Sequence, residues 1–427
     1  MKIRAITIGD KIPYLSKNDE LETSVEENLF KFRRLNEDLT DEFQKINLAV
    51  QSRRICSQPL FSYADQHFYK ENLKETLQRL NHQFKLIRDL FRRYNIDYLA
   101  CCAMLADKLE NFGVFEKLLL NEIPQYLKNY EYLFSSINVA SKDKGINLSA
   151  LKSSAKIIKS LSSDPFKNLN FCVSSNITPE LNVPFFPASY HFSDTPGFSL
   201  ALEMADEVVK IATEHQNFSE FKNQLKSKFR EIYNILLKIS EKLAERYELE
   251  FKGIDLSPAP YPELDKSIGN AIEKLGFEYF GAHGTTYGVA LIKNSIPDNL
   301  EKKIGFSGFM QPVLEDFTIA KRLSEKKFNL DTLLLYSCLC GTGLDCIPLP
   351  GDITEKELYY ILLDVCTISL KLDKPLTARL MPIPGKSAGD EINFEFEYFA
   401  PSKVIDYKTV GNNHIGLYER KDTFLKL

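Results

Sequence analysis

The 427-residue chain has no long apolar run and no large excess of charge of either sign. No stretch of about 18 apolar residues occurs, so we expect no transmembrane helix. The segment Met1–Asp10 has only a short apolar part before an acidic residue, which is typical of a first β-strand rather than a signal peptide. Lys and Arg number 54 against 58 Asp and Glu, giving a net charge of −4. We therefore expect a cytoplasmic protein without bulk attraction to nucleic acid or membranes.

Several familiar cofactor and metal motifs are also missing. The sequence has no His-Glu-x-x-His, and its eight cysteines include no paired Cys-x-x-Cys sets, so we expect no structural zinc. No Gly-x-Gly-x-x-Gly follows the first strand, which disfavours a Rossmann cofactor. Pro384–Ser387 ends like a phosphate-binding loop, but Leu380 stands where that loop needs glycine. No motif therefore implies a cofactor, and we expect the cysteines to be reduced thiols packed as small hydrophobic side chains.

Apolar segments of strand length alternate with amphipathic segments of helical period along most of the chain. This alternation predicts an α/β protein with a largely parallel sheet or barrel, and the absence of a linker favours one domain over residues 1–427. The predicted strands are Ile3–Ile8, Arg53–Ser57, Tyr98–Ala103, Leu133–Val139, Asn170–Ser174, Tyr190–Ser193, Lys252–Leu256, Phe306–Val313, Leu333–Cys340 and Thr377–Ile383, with an added strand at Asn393–Tyr398. The predicted helices are Val25–Leu48, Lys70–Tyr94, Phe115–Tyr132, Asn147–Leu161, Ala201–His215, Phe218–Tyr247, Leu264–Leu275, Phe317–Lys326 and Thr354–Leu372.

The longest predicted helix, Phe218–Tyr247, carries apolar residues at spacings of three and four. It is either a surface helix packed on the core or part of a subunit interface. A homo-oligomer is therefore an open expectation.

The segment Leu339–Pro350 is the most informative about chemistry. It predicts an apolar strand ending at Cys340, then a bend at Gly341 and Gly343, then the acidic Asp345. The two glycines allow positive φ and close approach of a ligand. A thiol beside free backbone N–H groups becomes a nucleophilic thiolate when a cation or base is near. The alternative is a strand with buried cysteines and a glycine turn.

A second segment places Asp255 and Ser257 on one face of a strand, which Pro258 and Pro260 then end. A carboxylate and a hydroxyl in this position suit ligand binding or the orientation of a catalytic base. Alternatively, they cap the next helix or bond to each other.

Two histidines stand in unusual settings. His283 lies in a glycine-rich loop, where the N–H groups of Gly284, Thr285 and Thr286 could hold an anion at a helix start. The alternative is a solvated turn histidine. His191 follows an aromatic, proline-containing stretch and is either a buried, hydrogen-bonded histidine or a catalytic base.

Taken together, six segments resemble the UPF0210/DUF711 family in their order and spacing. The resemblance covers nearly the whole chain. The segments are Lys2–Thr7, Ser135–Ala140 with Gly145–Leu148, Pro184–His191, Ile254–Ser257 with Ala259–Pro260, His283–Thr286 and Cys340–Asp345.

The resemblance implies a ten-stranded β/α barrel of the pyruvate formate-lyase type, with a loop inserted into the barrel centre. Alternation alone also fits a TIM barrel. In glycyl-radical relatives the inserted loop carries the reactive cysteine, and by this resemblance Cys340 is our candidate for it. Those enzymes need an Arg-Val-x-Gly-type loop near the C-terminus, whereas this tail reads Lys408-Thr409-Val410-Gly411. We therefore expect no glycyl-radical chemistry.

Three hypotheses for function follow, all with a small-molecule ligand. The first is an enzyme of the acyl or amide transfer or hydrolysis class, with Cys340 as nucleophile, His283 or His191 as base, and Asp255 or Asp345 orienting that base. The second is a metabolite-binding or regulatory protein without a covalent step. The third, which no spacing supports, places a metal on His191, His283 and Asp255. The predicted ligand-binding residues are Asn138, Ser257, Gly284, Thr285, Thr286, Gly341 and Gly343.

Overall fold

The computed structural model describes residues 1–14, 18–61, 73–109, 112–215, 217–410, 417–419 and 424–426. Its helices are α1 (Asn18–Gln44), α2 (Leu73–Tyr94), α3 (Val114–Asn129), α4 (Leu148–Leu161), α5 (Ala205–Glu214), α6 (Phe218–Arg246), α7 (Ile268–Lys274), α8 (Thr285–Lys293), α9 (Phe317–Ser324), α10 (Leu330–Ser337) and α11 (Glu355–Leu372). Its strands are β1 (Lys2–Gly9), β2 (Arg53–Ser57), β3 (Tyr98–Leu105), β4 (Leu133–Ser141), β5 (Gly145–Asn147), β6 (Phe171–Ser175), β7 (Gly197–Glu203), β8 (Glu250–Ala259), β9 (Gly343–Pro350), β10 (Leu376–Ile383), β11 (Glu391–Ile392), β12 (Ser402–Lys403) and β13 (Phe424–Leu425). Gly411, which we compared with the glycine of a glycyl-radical loop, lies outside the described residues.

One mostly parallel sheet organises the molecule, as the alternation of segments predicts. Its strand order is β8-β7-β1-β2-β3-β4-β6-β10-β9, with β5 and β13 attached beside β4. The five central strands β1, β2, β3, β4 and β6 are parallel. The pairs β7–β8 and β10–β9 are parallel within themselves but join the central strands antiparallel, at β1 and β6 respectively. These antiparallel junctions exclude the all-parallel TIM barrel.

The central strands are largely buried on both faces, and in β3 (Tyr98–Leu105) this explains the near-continuous apolar sequence. In β3, Leu99 and Cys101 belong to the main core, which also contains helix residues such as Phe84. Ala100 and Cys102 face the other way and belong to smaller apolar clusters. Alternation along one strand therefore supplies two separate layers. No helix among the described residues is long and apolar enough to cross a membrane.

The ten-stranded closed barrel is not confirmed. Within the described residues no strand pair joins the two edges β8 and β9, and the order from β8 to β9 comprises nine strands with both edges included. The irregular segment 302–313 instead lies between these edges, since Lys303 bridges to Ile254 of β8 and Pro312 bridges to Asp345 of β9. The predicted strand Phe306–Val313 falls in this segment and is wrong. Its first N–H groups bond to side chains of β8 rather than to a neighbouring strand.

The predicted strand Leu333–Cys340 is also wrong, because most of it forms helix α10. An apolar run of this length does not distinguish a buried strand from a buried helix. The deciding feature precedes it: Asn329 and Thr332 form a capping box that starts the helix. The strand comes afterwards, as β9, which contains Pro348 and Pro350. Prolines are tolerated there because β9 is at the edge of the sheet.

The remaining differences are two predicted strands that are irregular in the structure and two elements that were not predicted. Tyr190–Ser193 and Asn393–Tyr398 are irregular rather than extended, and the sequence analysis missed β7 and α8. Within the irregular segment 176–191, the N–H of His191 bonds to the carbonyl of Ser57 at 2.8 Å. This segment packs on the sheet face that carries Cys102 and Cys172. It contains no cysteine, so Cys340 is not in the loop that covers this face.

Candidate functional site

Asp255 and Ser257 lie together on β8, and each is fully buried. The Asp255 carboxylate accepts hydrogen bonds from the Ser257 N–H at 2.9 Å and hydroxyl at 2.6 Å, and from the N–H groups of Phe306 at 2.7 Å and Ser307 at 3.0 Å. The Ser257 hydroxyl in turn accepts from the Gly308 N–H at 3.0 Å. We call these five residues the Asp255 cluster. Burial raises the pKa of Asp255, although these hydrogen bonds favour its charged form.

The alternative in which Asp255 and Ser257 bond to each other therefore describes the structure. Every oxygen of the pair has a partner, and those partners fix the segment that lies between β8 and β9. This arrangement anchors a loop and leaves no free group aimed at a ligand.

Cys340 lies in the turn between α10 and β9 and is 1% exposed. Its sulfur accepts a hydrogen bond from the Gly343 N–H at 3.1 Å. The ammonium of Lys374 bonds to the carbonyl of Cys340 and, at 2.9 Å, to that of Ser337. Burial raises the pKa of the Cys340 thiol despite the opposing effects of Lys374 and the Gly343 N–H. Gly341 packs against Gly308, where an added Cβ would lie 2.9 Å from the Gly308 Cα.

The predicted base His283 is exposed at the start of α8. In the same loop the Gly281 N–H donates to the Thr285 hydroxyl at 3.1 Å, and Gly284 adopts a φ of 100°. Thr286 is half-buried. Within the described part of the chain, no hydrogen bond or ion pair joins His283 to Cys340, Asp255 or Asp345. The loop therefore forms an ordinary helix start at the surface.

His191 is buried against the end of β1, where its ring fills the space beside Gly9. It borders a void of about 10 Å³ that Lys252 also lines. Burial, reinforced by Lys252, lowers the pKa of His191 to about 4, so the imidazole is neutral at ordinary pH. Its Nε2 has no partner among the described residues.

Asn138 joins two elements of the sheet. Its side-chain oxygen accepts from the Ser174 hydroxyl at 3.1 Å and from the Ile177 N–H at 3.4 Å. It therefore fixes the beginning of the irregular segment 176–191 to β4. The metal hypothesis finds no support in the geometry: among the described residues, no three His, Cys, Asp or Glu side chains gather as metal ligands, and His191, His283 and Asp255 lie in three separate places.

Asp345 leads to a different site from the one predicted around Cys340. Asp345 lines a cavity of about 190 Å³ on the inner face of the sheet, which Cys340 and both histidines do not line. The amino ends of the central strands contribute Arg4 from β1 and Arg54 from β2, and β10 contributes Arg379. We call this site the arginine cavity. Its aromatic walls are Tyr98, Phe134, Phe185, Phe186, Phe306, Phe396 and Tyr398.

Two of the three arginines are neutralised by carboxylates, of which Glu203 and Glu315 are buried and Asp345 is half-buried. Arg4 pairs with Glu203 at 2.9 Å and with Glu315 at 2.7 Å. Arg379 pairs with Glu315 at 2.9 Å and with Asp345 at 2.5 Å. Burial opposes the charge on Glu315, but the guanidinium groups of Arg379 and Arg4 outweigh it and hold the pKa of Glu315 below its usual value. Glu315 therefore bridges two cations and orients both.

Arg54 is different, because no carboxylate of the described residues pairs with it. Its Nε donates to the Ser52 hydroxyl at 2.8 Å, and its guanidinium carbon lies 5.1 Å from the Phe186 ring centre and 5.8 Å from that of Tyr98. Burial and the nearby charge of Arg4 lower the pKa of Arg54 to about 10. A stacked guanidinium keeps its N–H edge available for an acceptor in the plane of the group.

The site residues predicted from the sequence do not include the three arginines or Glu315. A usable indication was present for two of them, since Arg4 and Arg379 stand inside strands that are otherwise mostly apolar, whereas Arg54 follows Arg53 at the start of β2. In strands buried on both faces, a charged side chain must find a counter-ion or a ligand because desolvation is costly.

Comparison with known proteins identifies the family. A family model described as "Uncharacterised ACR (DUF711)" matches residues 1–400. The chain belongs to the DUF711 family. A UPF0210 protein of Pyrobaculum aerophilum is 31% identical over 71% of this chain and 68% of its own length. A UPF0210 protein of Syntrophobacter fumaroxidans is 26% identical over 92% of this chain and 88% of its own length.

Among solved structures, an anaerobic ribonucleotide reductase aligns with 88% of this chain and 70% of its own length. The TM-score is 0.44 and the sequence identity is 12%. The resemblance to UPF0210/DUF711 inferred from the six segments is confirmed.

Proposed function

We propose that this DUF711 protein binds a small carboxylate or phosphate anion in the arginine cavity, with Arg54 as the anion-binding group. The supporting observation is the contrast in pairing: Arg4 and Arg379 have carboxylate partners, whereas Arg54 is stacked on two rings without one. A desolvated guanidinium without a counter-ion attracts a carboxylate or phosphate, and it binds such groups through two parallel hydrogen bonds.

The cysteine-dependent enzyme remains the less favoured candidate. Cys340 lies outside the cavity lining, and burial raises its pKa, which opposes formation of a thiolate. The geometry therefore favours metabolite binding over acyl or amide transfer or hydrolysis. As part of this proposal we assign the protein to the cytoplasm, because its eight cysteines are free thiols, which a reducing compartment maintains.

The test is a comparison of Arg54→Gln with Arg53→Gln. Arg53 is the preceding residue of β2, and its guanidinium bonds to Thr40 of α1 on the helix side of the sheet. Thermal unfolding of the wild type and both variants is measured with acetate, benzoate and inorganic phosphate, and isothermal titration follows for any anion that raises the melting temperature.

We expect at least one of these anions to stabilise the wild type and Arg53→Gln, while Arg54→Gln loses roughly 10- to 150-fold in affinity for it, the range for hydrogen bonds to a charged group. Cys340→Ser should keep the stabilisation. Equal stabilisation of Arg54→Gln and Arg53→Gln by every anion would overturn the proposal, since general salt effects do not depend on Arg54.

A further inference from the structure

The size of the arginine cavity restricts what it can hold. Its volume is about 190 Å³. A buried apolar cavity of about 150 Å³ accommodates benzene, so this cavity has room for one six-membered ring and a small polar group.

The walls of the cavity favour a flat ring. Phe134 lies between Tyr98 and Phe186, with ring-centre distances of 5.3 Å and 5.5 Å and an edge-on or tilted geometry. Phe306 and Phe396 add apolar surface. Edge-to-face and tilted contacts are the arrangements that aromatic rings prefer, so an aromatic ligand gains contacts here that a saturated ring of similar volume does not.

The charges of the cavity favour a monoanion. Arg4 and Arg379 are already paired with Glu203, Glu315 and Asp345, which leaves one guanidinium, Arg54, for the ligand. One carboxylate satisfies its N–H edge in a bidentate pair. A phosphate dianion would bring a second negative charge close to Glu315 and Asp345, and like charges repel strongly where water is scarce.

Two polar atoms at the cavity wall have no partner among the described residues. They are the hydroxyl of Thr342, which is 4% exposed, and the side-chain oxygen of Gln51. Buried polar atoms normally have hydrogen-bond partners, and an orphaned one in a cavity wall indicates a ligand group. The Gln51 oxygen needs a donor, and the Thr342 hydroxyl takes either a donor or an acceptor.

We propose that the ligand is a small aromatic monocarboxylate that carries a hydroxyl or amino substituent. This inference rests on the proposed function. Its carboxylate pairs with Arg54, its ring packs against Phe134 and Phe186, and its substituent bonds to Thr342 or Gln51.

The experiment is isothermal titration of the full chain with seven probes: benzoate, the three hydroxybenzoate isomers, cyclohexanecarboxylate, phenyl phosphate and inorganic phosphate. The proteins are the wild type, Arg54→Gln, Arg53→Gln, Thr342→Val and Gln51→Met. Circular dichroism and thermal unfolding without probe establish that each variant is folded.

We expect benzoate to bind about tenfold more tightly than cyclohexanecarboxylate and than either phosphate. At least one hydroxybenzoate should bind more tightly than benzoate. In Thr342→Val or in Gln51→Met, the affinity for this hydroxybenzoate should fall about tenfold, while the affinity for benzoate stays unchanged. Arg54→Gln should weaken the binding of every aromatic carboxylate, whereas Arg53→Gln should weaken the binding of none.

The titrations distinguish failure of the proposed ligand class from failure of the proposed function. If a phosphate or the saturated carboxylate binds best and its binding depends on Arg54, the ligand class is overturned and the proposed function stands. A hydroxyl gain that persists in both Thr342→Val and Gln51→Met overturns the role of the substituent. If no probe depends on Arg54, both proposals fall.

Discussion

The Asp255 cluster and the arginine cavity are both buried and both built on charged residues, but they differ in how completely their polar groups are paired. The Asp255 carboxylate receives four hydrogen bonds from two chain segments. In the arginine cavity, Arg54 has no carboxylate partner and the hydroxyl of Thr342 has no hydrogen-bond partner within the described part of the chain. Complete pairing indicates a structural role, whereas incomplete pairing at a cavity wall indicates a ligand.

The largest effect that we expect is on the stability of the folded protein, and it tests whether the Asp255 cluster is structural. Asp255→Ala should lower the free energy of unfolding by about 3 kcal/mol or more, because it leaves the buried N–H groups of Phe306 and Ser307 without acceptors. Urea unfolding measures the change. The exposed Asp265→Ala is the control and should stay within about 0.5 kcal/mol of the wild type. A similarly small change for Asp255→Ala would mean that the cluster is not structural.

A second test concerns the Cys340 turn. Like the polar groups of the Asp255 cluster, those of this turn have hydrogen-bond partners within the protein. Cys338 is half-buried two residues before the buried Cys340. In the folded protein we expect Cys338 to be alkylated roughly a hundredfold faster, because Cys340 reacts only after local opening. Mass spectrometry across pH 5 to 9 follows each thiol. Fast alkylation of Cys340 with a low apparent pKa would restore the cysteine enzyme as the leading hypothesis.

His191 is an intermediate case, buried with one unpartnered nitrogen. Its folded pKa of about 4 lies below the unfolded value of 6.5, so the unfolded chain binds more protons between these pH values. Its contribution to stability is therefore present above pH 6.5 and is lost as the pH falls to 4, by at most about 3 kcal/mol.

The measurement compares the pH dependence of urea unfolding in the wild type and His191→Gln. The comparison with the variant is needed because Asp10 and Asp316 change the stability with pH in the opposite direction. Burial raises the pKa of each of these carboxyl groups to about 6. We expect the wild type to lose more stability than the variant between pH 6.5 and 4. Parallel curves would show that His191 is solvated in the folded protein.

The smallest expected effect is that of Arg54→Lys. Lysine keeps the charge but loses the planar bidentate edge and the stacking on Phe186, so the affinity for the bound anion should fall about tenfold. Arg53→Lys is the matched control and should bind like the wild type. Unchanged affinity in Arg54→Lys would mean that charge alone, rather than geometry, holds the anion.

Most of the central sheet was predictable because its strands are buried on both faces. The predicted strand Arg53–Ser57 coincides with β2, and Leu133–Val139 lies within β4. In β3 (Tyr98–Leu105), the continuous apolar sequence is sufficient to locate the strand. The prediction failed at Leu333–Cys340, where a capping box turned an apolar run into a helix, and in β9, where prolines concealed an edge strand.

The candidate site was less predictable than the fold. Of the residues predicted for chemistry, Asp345 lines the arginine cavity and Asp255 anchors a loop. Glycines and cysteines at the ends of elements resemble catalytic turns. The Cys340 turn is nevertheless held together by hydrogen bonds from the Lys374 ammonium and the Gly343 N–H. Arginines inside apolar strands were the more informative feature, since burying a charge requires a partner.

The sequence alone determined the family, the α/β class and most of the strands and helices, because these depend on periodicity and on ordered local motifs. Only the tertiary structure decided which charges meet. Arg4, Arg54 and Arg379 are separated by 50 to 375 positions in the chain, and the strand order of the sheet brings them to one cavity. Which of them keeps a free N–H edge depends on where Glu203, Glu315 and Asp345 lie in space, and no local pattern encodes that.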